Sequence, residues 1–356
     1  MIKFNPDRWA NVRQTFEKWW EGTLDRAAIK VTLYNDYPYN GTIPLLSQRT
    51  CADLTVSPED IIERIDLHLS NQEYLGDAFP YLCLHSFGPG VLAAMLGAEL
   101  NTSTGRVWFL YHNDVKISDL HFEYKADNVW LNRIKDICHA GMKKWKGNVM
   151  IGMPDLGGPH DVLAVFRGTQ NLLMDLYDHS EEVKRCSREI LNIWHKVFDE
   201  INNVLQPANP GFCDWSGIYS AVPVYIPQCD FSFMISPEQF AQFVFDDLKL
   251  QCDRLARSIW HLDGKGMLPH TDQVLNIDSL NAVQYNPGDI EPTSRHWLDL
   301  YKKIFDSGKR IMITGPPEDM PVIIQAMGGK GFYYDFHTTD KKHALEFLNE
   351  CEQKGD

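Results

Sequence analysis

The stretch SIWHLDGKGMLPH, residues 258–270, sets His261 and Asp263 two positions apart at the end of an apolar run that breaks at Gly264 and Gly266. Side chains at i and i+2 of a strand project from the same face. The imidazole and the carboxylate therefore converge on one spot, as a metal-ligand pair or an acid–base pair requires. The plainer alternative is an aspartate bonded to the loop amides of Gly264 and Gly266, with the histidine as filler. Other reactive side chains fall at the ends of strand-like runs: His85, Asp155, Tyr219, Gln284 with Asn286, and Asp335 with His337. The loops PDLGGPHD (154–161) and PQCDFSFMISPE (227–238) add Asp161, Cys229 and Asp230. Each has a structural alternative. Asp161 reads as the N-cap of a helix starting at Val162. Cys229 reads equally as a small hydrophobe, His85 as a core histidine, and His337 as a surface residue beside a helix cap at Thr339 or Asp340.

The elements that must position these residues alternate in type. Strand-like runs cover 29–34, 81–86, 148–154, 213–218, 258–263, 280–286, 310–315 and 331–336. Helical patterns fill most gaps: 162–205 holds two or three helices, 236–257 opens with Ser236 and Pro237 as N-cap and N1, and 296–308 closes on Gly308. Eight strands in this alternation predict an α/β chain folded as a TIM-type (β/α)8 barrel, with chemistry at the C-terminal strand ends. A doubly wound open sheet is the competing architecture, but no GxGxxG or GxxxxGK[ST] motif supports a nucleotide fold. The segment 107–115 reads as an inserted strand or hairpin, and the helical opening 7–22 as an extension packing across the barrel's bottom or side. Without a linker or repeat, residues 1–356 read as one domain.

Composition excludes some functions. A net charge of −14 opposes nucleic-acid binding, which needs a positive face. No run approaches the roughly 18–20 apolar residues of a membrane span. The opening lacks the apolar core of a signal peptide, and eight cysteines without a CxxC pair read as reduced thiols, so a cytoplasmic location is expected. Among the abundant aromatics, Trp108, Trp215 and Tyr219 are candidates for a cage around a quaternary ammonium, although barrel aromatics more often form core.

The order of RQTFEKWWEGTLDRAAIKVT, MPDLGGPHDVLAVFRGTQNLLMDLYDHSEEV, QCDFSFMISPEQF, HLDGKG and LNAVQYNPG resembles the uroporphyrinogen decarboxylase superfamily over about residues 8–350. Within it the chain looks closer to the methyltransferase-like branch, some of whose members are labelled trimethylamine corrinoid proteins. The resemblance implies a TIM-type barrel. It departs from the decarboxylases where their arginine-rich segment, which holds substrate carboxylates, is replaced by YNDYPYNGTIPLL. A porphyrinogen's many carboxylates are poorly served without such cations. It departs from the methyltransferases at the zinc ligands, a His-x-Cys pair and a later cysteine. Here the pair is His261 and Asp263, and the last strand, GFYYDFHTT, offers Asp335 or His337 near the missing cysteine's place.

The expectation is metal-assisted methyl transfer involving a small methylated compound. His261, Asp263 and His337 would hold zinc or another divalent ion, with Glu291 or Glu318 as further donors. Asp155, Tyr219 and Asp230 would act catalytically, and His85, Cys229 and Gln284 would contact substrate. A corrinoid would enter only through a partner protein, since the chain has no DxHxxG signature; pairing into a homodimer is common in the family. Two alternatives stay open: a decarboxylase of a small acid, clamped by Arg26, Arg49 or Arg106, and a non-catalytic barrel that binds a ligand or a corrinoid protein.

Overall fold

The computed structural model describes residues 1–35, 48–288 and 293–355, apart from the side chains of Gln48, Arg49 and His85. Its strands are β1 (Ala28–Tyr34), β2 (Gln72–Gly76), β3 (Tyr81–Leu82), β4 (Glu99–Asn101), β5 (Trp108–Leu110), β6 (Met150–Ile151), β7 (Val224–Tyr225), β8 (Arg257–Asp263), β9 (Ala282–Asn286), β10 (Arg310–Ile313) and β11 (Phe332–Thr338). Seven form one sheet in the order β2-β1-β11-β10-β9-β8-β7, parallel except where β2 runs against β1. β3 and β6 form a separate parallel pair, and β4 with β5 makes the hairpin expected near 107–115. The chain is therefore α/β with a mostly parallel sheet.

The expected closed eight-stranded ring is not present as a continuous ladder among the described residues. The cause is local. Residues 213–218 form a turn instead of a strand: the Asp214 carboxylate accepts the Ser216 amide at 2.9 Å, and Gly217 takes φ +74°. Only a Phe212–Ser220 bridge flanks this turn. Likewise β3 stops at Leu82, because His85–Phe87 winds into a 3-10 turn.

Period-two alternation gives the sheet two distinct faces. Ile29, Val31, Trp260, Leu262, Val283, Tyr285, Phe332 and Tyr334 pack outward with the helices. The two or three helices expected across 162–205 are three: Pro159–Arg167, Thr169–Asp178 and Ser180–Leu205. Ser236 caps the next one through a reciprocal box with Gln239, with Pro237 in its first turn. The opposite face carries a second, smaller core of Ala28, Ile259, Ala282, Met312 and Tyr333. That core is completed by the N-terminal helix Pro6–Glu21, which buries Trp9, Val12, Phe16, Trp19 and Trp20. Asn5 caps the helix at its start and Gly22, at φ +70°, ends it in the left-handed conformation. Glu17 forms a two-pronged pair with Arg257 at 2.6 and 2.7 Å, and the Trp20 indole donates to the Tyr219 carbonyl at 2.9 Å. The helix thus plugs the N-terminal ends of the strands, as expected, and leaves polar inward residues to the C-terminal ends. No helix among the described residues is long and apolar enough to cross a membrane.

Phe16 is fully buried between Phe79, Tyr219 and Tyr333. Phe16→Ala should cost about 3–5 kcal/mol of unfolding free energy, measured by urea denaturation; a loss under about 1 kcal/mol would remove the plug from the account.

Candidate metal centre

β8 supplies the first two members of the centre. Its outward residues Trp260 and Leu262 are buried, while inward-facing His261 and Asp263 are only partly so. The third comes from the short 3-10 turn Asp230–Met234, which follows β7. One donor atom from each of Asp230, His261 and Asp263 lies within 4.8 Å of the other two. The amides do not hold Asp263 as its plainer reading supposed. The Gly264 amide donates to the Asn286 carbonyl at 2.8 Å, and Asp263 Oδ1 accepts from Asn286 Nδ2 at 2.8 Å. Across the β8–β9 register, His261 Nδ1 meets Gln284 Oε1, while Gln284 Nε2 faces Met312 Sδ at 3.5 Å. An amide oxygen only accepts, so Nδ1 is the donor in this contact, and in the neutral imidazole the lone pair is then on Nε2.

A layer of acids lies behind. Asp155 is buried, and its Oδ1 accepts the Gly157 amide at 2.8 Å and the Gly90 amide at 3.4 Å. Burial pushes its pKa up to about 6, opposed by these amides and by His261, and assisted by Asp230. Asp161 is pushed up to about 8, by burial first and Asp230 second. It is not the N-cap expected, because the helix starts earlier, at Pro159 with Gly158 as cap. Instead its Oδ1 takes the Phe231 amide at 2.7 Å, which anchors the turn carrying Asp230. The loop must approach closely for this. A Cβ on Gly158 would stand 2.0 Å from the Gln228 carbonyl oxygen, so only glycine fits. Asp230 itself lies on the exposed rim, yet surrounding protein raises its pKa, with His261 lowering and Asp263 raising it.

The remaining candidates fall elsewhere. His337 is not in the cluster: its Nδ1 lies 3.0 Å from the Tyr34 hydroxyl and its Nε2 3.4 Å from Asp335 Oδ1. Strand β11 is separated from β8 by β9 and β10, and Asp230 stands as the third donor instead. Tyr219 sits at the plugged end, against Phe16 and Phe79, rather than among the acids near β8. Cys229 is buried, and burial raises its thiol pKa well above the usual range, the surroundings of a packing cysteine. Gln284 is turned to His261 and Met312. The His85 side chain and Glu291 lie outside the described residues, and Glu318 pairs with His343 at 3.9 Å. The proposed aromatic cage does not assemble: Trp215 packs edge-on to His261 at 5.5 Å, whereas Trp108 is exposed on β5 and Tyr219 is at the plug. As for cationic clamps, Arg26 is locked to Asp77 at 2.6 and 2.7 Å just before β1, and exposed Arg106 lies in the β4–β5 loop. Arg49 is not described.

No protein-family profile matches the chain, and no curated protein matches it by sequence. Among solved structures it is similar to a methyltransferase from Methanosarcina mazei, with TM-score 0.62 and 13% identity over 97% of this chain and 98% of that one. At that identity the likeness establishes a shared fold: a methyltransferase-like α/β architecture along nearly the whole chain.

The state of Asp155 gives a pH signature. Its folded carboxyl keeps its proton up to about pH 6, whereas an unfolded aspartate loses its own near about 4. Between those values the folded state binds the extra proton, so this group's contribution to stability falls as pH rises. Asp155→Asn should flatten that fall by up to roughly 1.4 kcal/mol per pH unit, read from denaturation curves at pH 4 to 7 with chelator present. An unchanged slope would remove Asp155 as its source.

Proposed function

We propose that the chain is a methyltransferase-type enzyme in which Asp230, His261 and Asp263 hold a divalent ion, with a separate corrinoid protein as methyl carrier. The observation carrying this reading is the convergence of those three donors at the C-terminal end of β8, on a fold shared with a methyltransferase. The residues fit the ion. One imidazole nitrogen and two carboxylates offer a mixed N/O set with two negative charges, suited to zinc or a harder divalent ion. Gln284 fixes the imidazole tautomer and Asn286 orients Asp263, the supporting contacts that metal ligands ordinarily need.

When bound, the ion would act as a Lewis acid that lowers the pKa of a coordinated hydroxyl or thiol. The chain's own groups would do the rest. Asp155, buried beside His261 and poised near pH 6, would take or return a proton at its carboxyl. Asp161 would hold the turn bearing Asp230. We read the architecture as a variant TIM-type ring, in which the β3–β6 pair and the 212–220 turn fill the space between β1 and β7. Supporting this, the Met153 amide donates to the Cys213 carbonyl at 2.8 Å and Lys30 Nζ to the Gly217 carbonyl at 2.9 Å.

Metal content by plasma mass spectrometry tests the reading. Near-stoichiometric divalent metal is expected, with loss in both His261→Ala and Asp263→Ala. Gln284→Leu should weaken metal affinity roughly 10- to 100-fold while leaving the fold intact. Protein that stays metal-free under replete conditions would sink the mechanism and return decarboxylation and simple binding to the front.

A further inference from the structure

A cavity of about 470 Å3 opens at the C-terminal ends of β1 and β11, outside the three-donor centre. Its walls are chiefly rings: Tyr34, His68, Tyr74, Phe79, Tyr81 and His337. Tyr34 lies stacked between His68 and His337, with centroids 5.7 and 5.6 Å away and interplanar angles of 27° and 15°. The volume falls within the range of small-molecule pockets. No lysine, arginine, aspartate or glutamate is among its described lining residues.

The walls are also uncharged at neutral pH. Burial raises the pKa of Tyr34, Tyr74 and Tyr81, so the phenols stay protonated. The surrounding protein lowers those of His68 and His337, so the imidazoles stay neutral. A matched ion pair, Lys30 with Asp335, lies just behind the wall. Lys30 Nζ, 0% exposed, sits 4.8 Å from the Phe79 ring centroid and 4.5 Å from that of Tyr81. Its hydrogen bonds go to Asp335 Oδ2 at 2.7 Å and the Gly217 carbonyl at 2.9 Å.

This arrangement sorts ligands by charge. A cation would meet Phe79 and Tyr81 rings whose faces are already engaged by an ammonium. Among the described residues an anion would find no accessible cation, because Lys30 is enclosed and matched by Asp335. Either charge would be buried against neutral walls without a partner, which is costly. A flat neutral ring carries no such cost and gains from the stacked faces. We infer that this cavity binds an uncharged, single-ring aromatic compound, laid against the Tyr34, His68 and His337 rings, with Thr32 and the Gln72 amide nitrogen in the lining to meet its polar substituent.

A path of contacts runs from the cavity to the three-donor centre. Cys83 lines it and donates to the Trp215 carbonyl at 3.5 Å, and Trp215 packs against His261. That the bound ring is the enzyme's substrate rests on the proposed function; that it binds rests on the cavity alone.

Benzamide, benzoate and benzamidinium share one shape and differ in charge, so they are the probes. Titration calorimetry on the full chain, metal-loaded and chelator-treated, should show benzamide binding, and each ion about tenfold weaker or more. His68→Ala, at an exposed position, and Tyr34→Ala should each weaken benzamide about tenfold. Stronger binding of either ion, no binding of benzamide, or indifference to both ring variants would overturn the inference. Benzamide binding to protein that never takes up metal would uphold it while removing the metal-based function.

Discussion

The ammonium of Lys30 has no contact with solvent, and the inner wall of the sheet is organised around that fact. An unmatched buried charge costs several kcal/mol, and removing one partner of a buried pair typically costs about 3–5 kcal/mol. Asp335 meets the requirement from the adjacent strand, in direct register with Lys30. β1 and β11 come from opposite ends of the chain, so the pair ties the termini together. Because side chains two apart share a face, the same register that aligns Lys30 with Asp335 aligns Thr32 with His337. The aromatic cavity is thus a consequence of the pairing below it. The Gly217 carbonyl completes the ammonium's shell and ties the 212–220 turn to the same wall.

Along the inward face, chemistry changes with height. At the N-terminal ends, Ala28, Ile259, Ala282 and Tyr333 meet the tryptophans and phenylalanine of the first helix. One step further along each strand stand Lys30, His261, Gln284 and Asp335, and beyond them Thr32, Asp263, Asn286 and His337. The apolar layer excludes water from below, so each polar residue must find its partner laterally, across the register. His261 finds Gln284, Asp263 finds Asn286, and Lys30 finds Asp335. A rigid strand rather than a loop therefore fixes two of the three candidate donors, while the third, Asp230, depends on the Asp161 anchor.

Much of this was legible in the sequence where periodicity was strict. His261 and Asp263 share a face because their strand is real, and 29–34, 258–263 and 310–313 fall close to where alternation put them. The failures have local causes. CDWSGI looks like a strand until Asp214 folds back on Ser216, a competition that composition does not reveal. Tyr219 follows that turn, which sends it to the plugged end. His337 was placed by analogy with a missing cysteine, but the sheet order sets two strands between β11 and β8. Asp161 looked like a cap because Val162 began the apolar pattern; the helix had started at Pro159. One signal was present and passed over: a lysine in the middle of an apolar strand, IKVTLY, with an aspartate in a matching run near the other end.

The acids behind the centre give its electrostatic character. Asp155, Asp161 and Asp230 all have raised pKa values, and in each case another aspartate contributes to the rise. Like charges held together by the backbone must either share protons or gain a cation. A divalent ion at His261, Asp263 and Asp230 would relieve the same repulsion that pushes these carboxyls up, so affinity for metal and the acids' ionisation are coupled. Thiolate ligands would bring the charge with softer, longer bonds; two carboxylates bring it with hard oxygens. Asp263 as a carboxylate therefore brings a negative charge as well as a candidate ligand. It joins the centre to Asp155, Asp161 and Asp230, and the imidazole of His261 opposes the pKa rise at both Asp155 and Asp230.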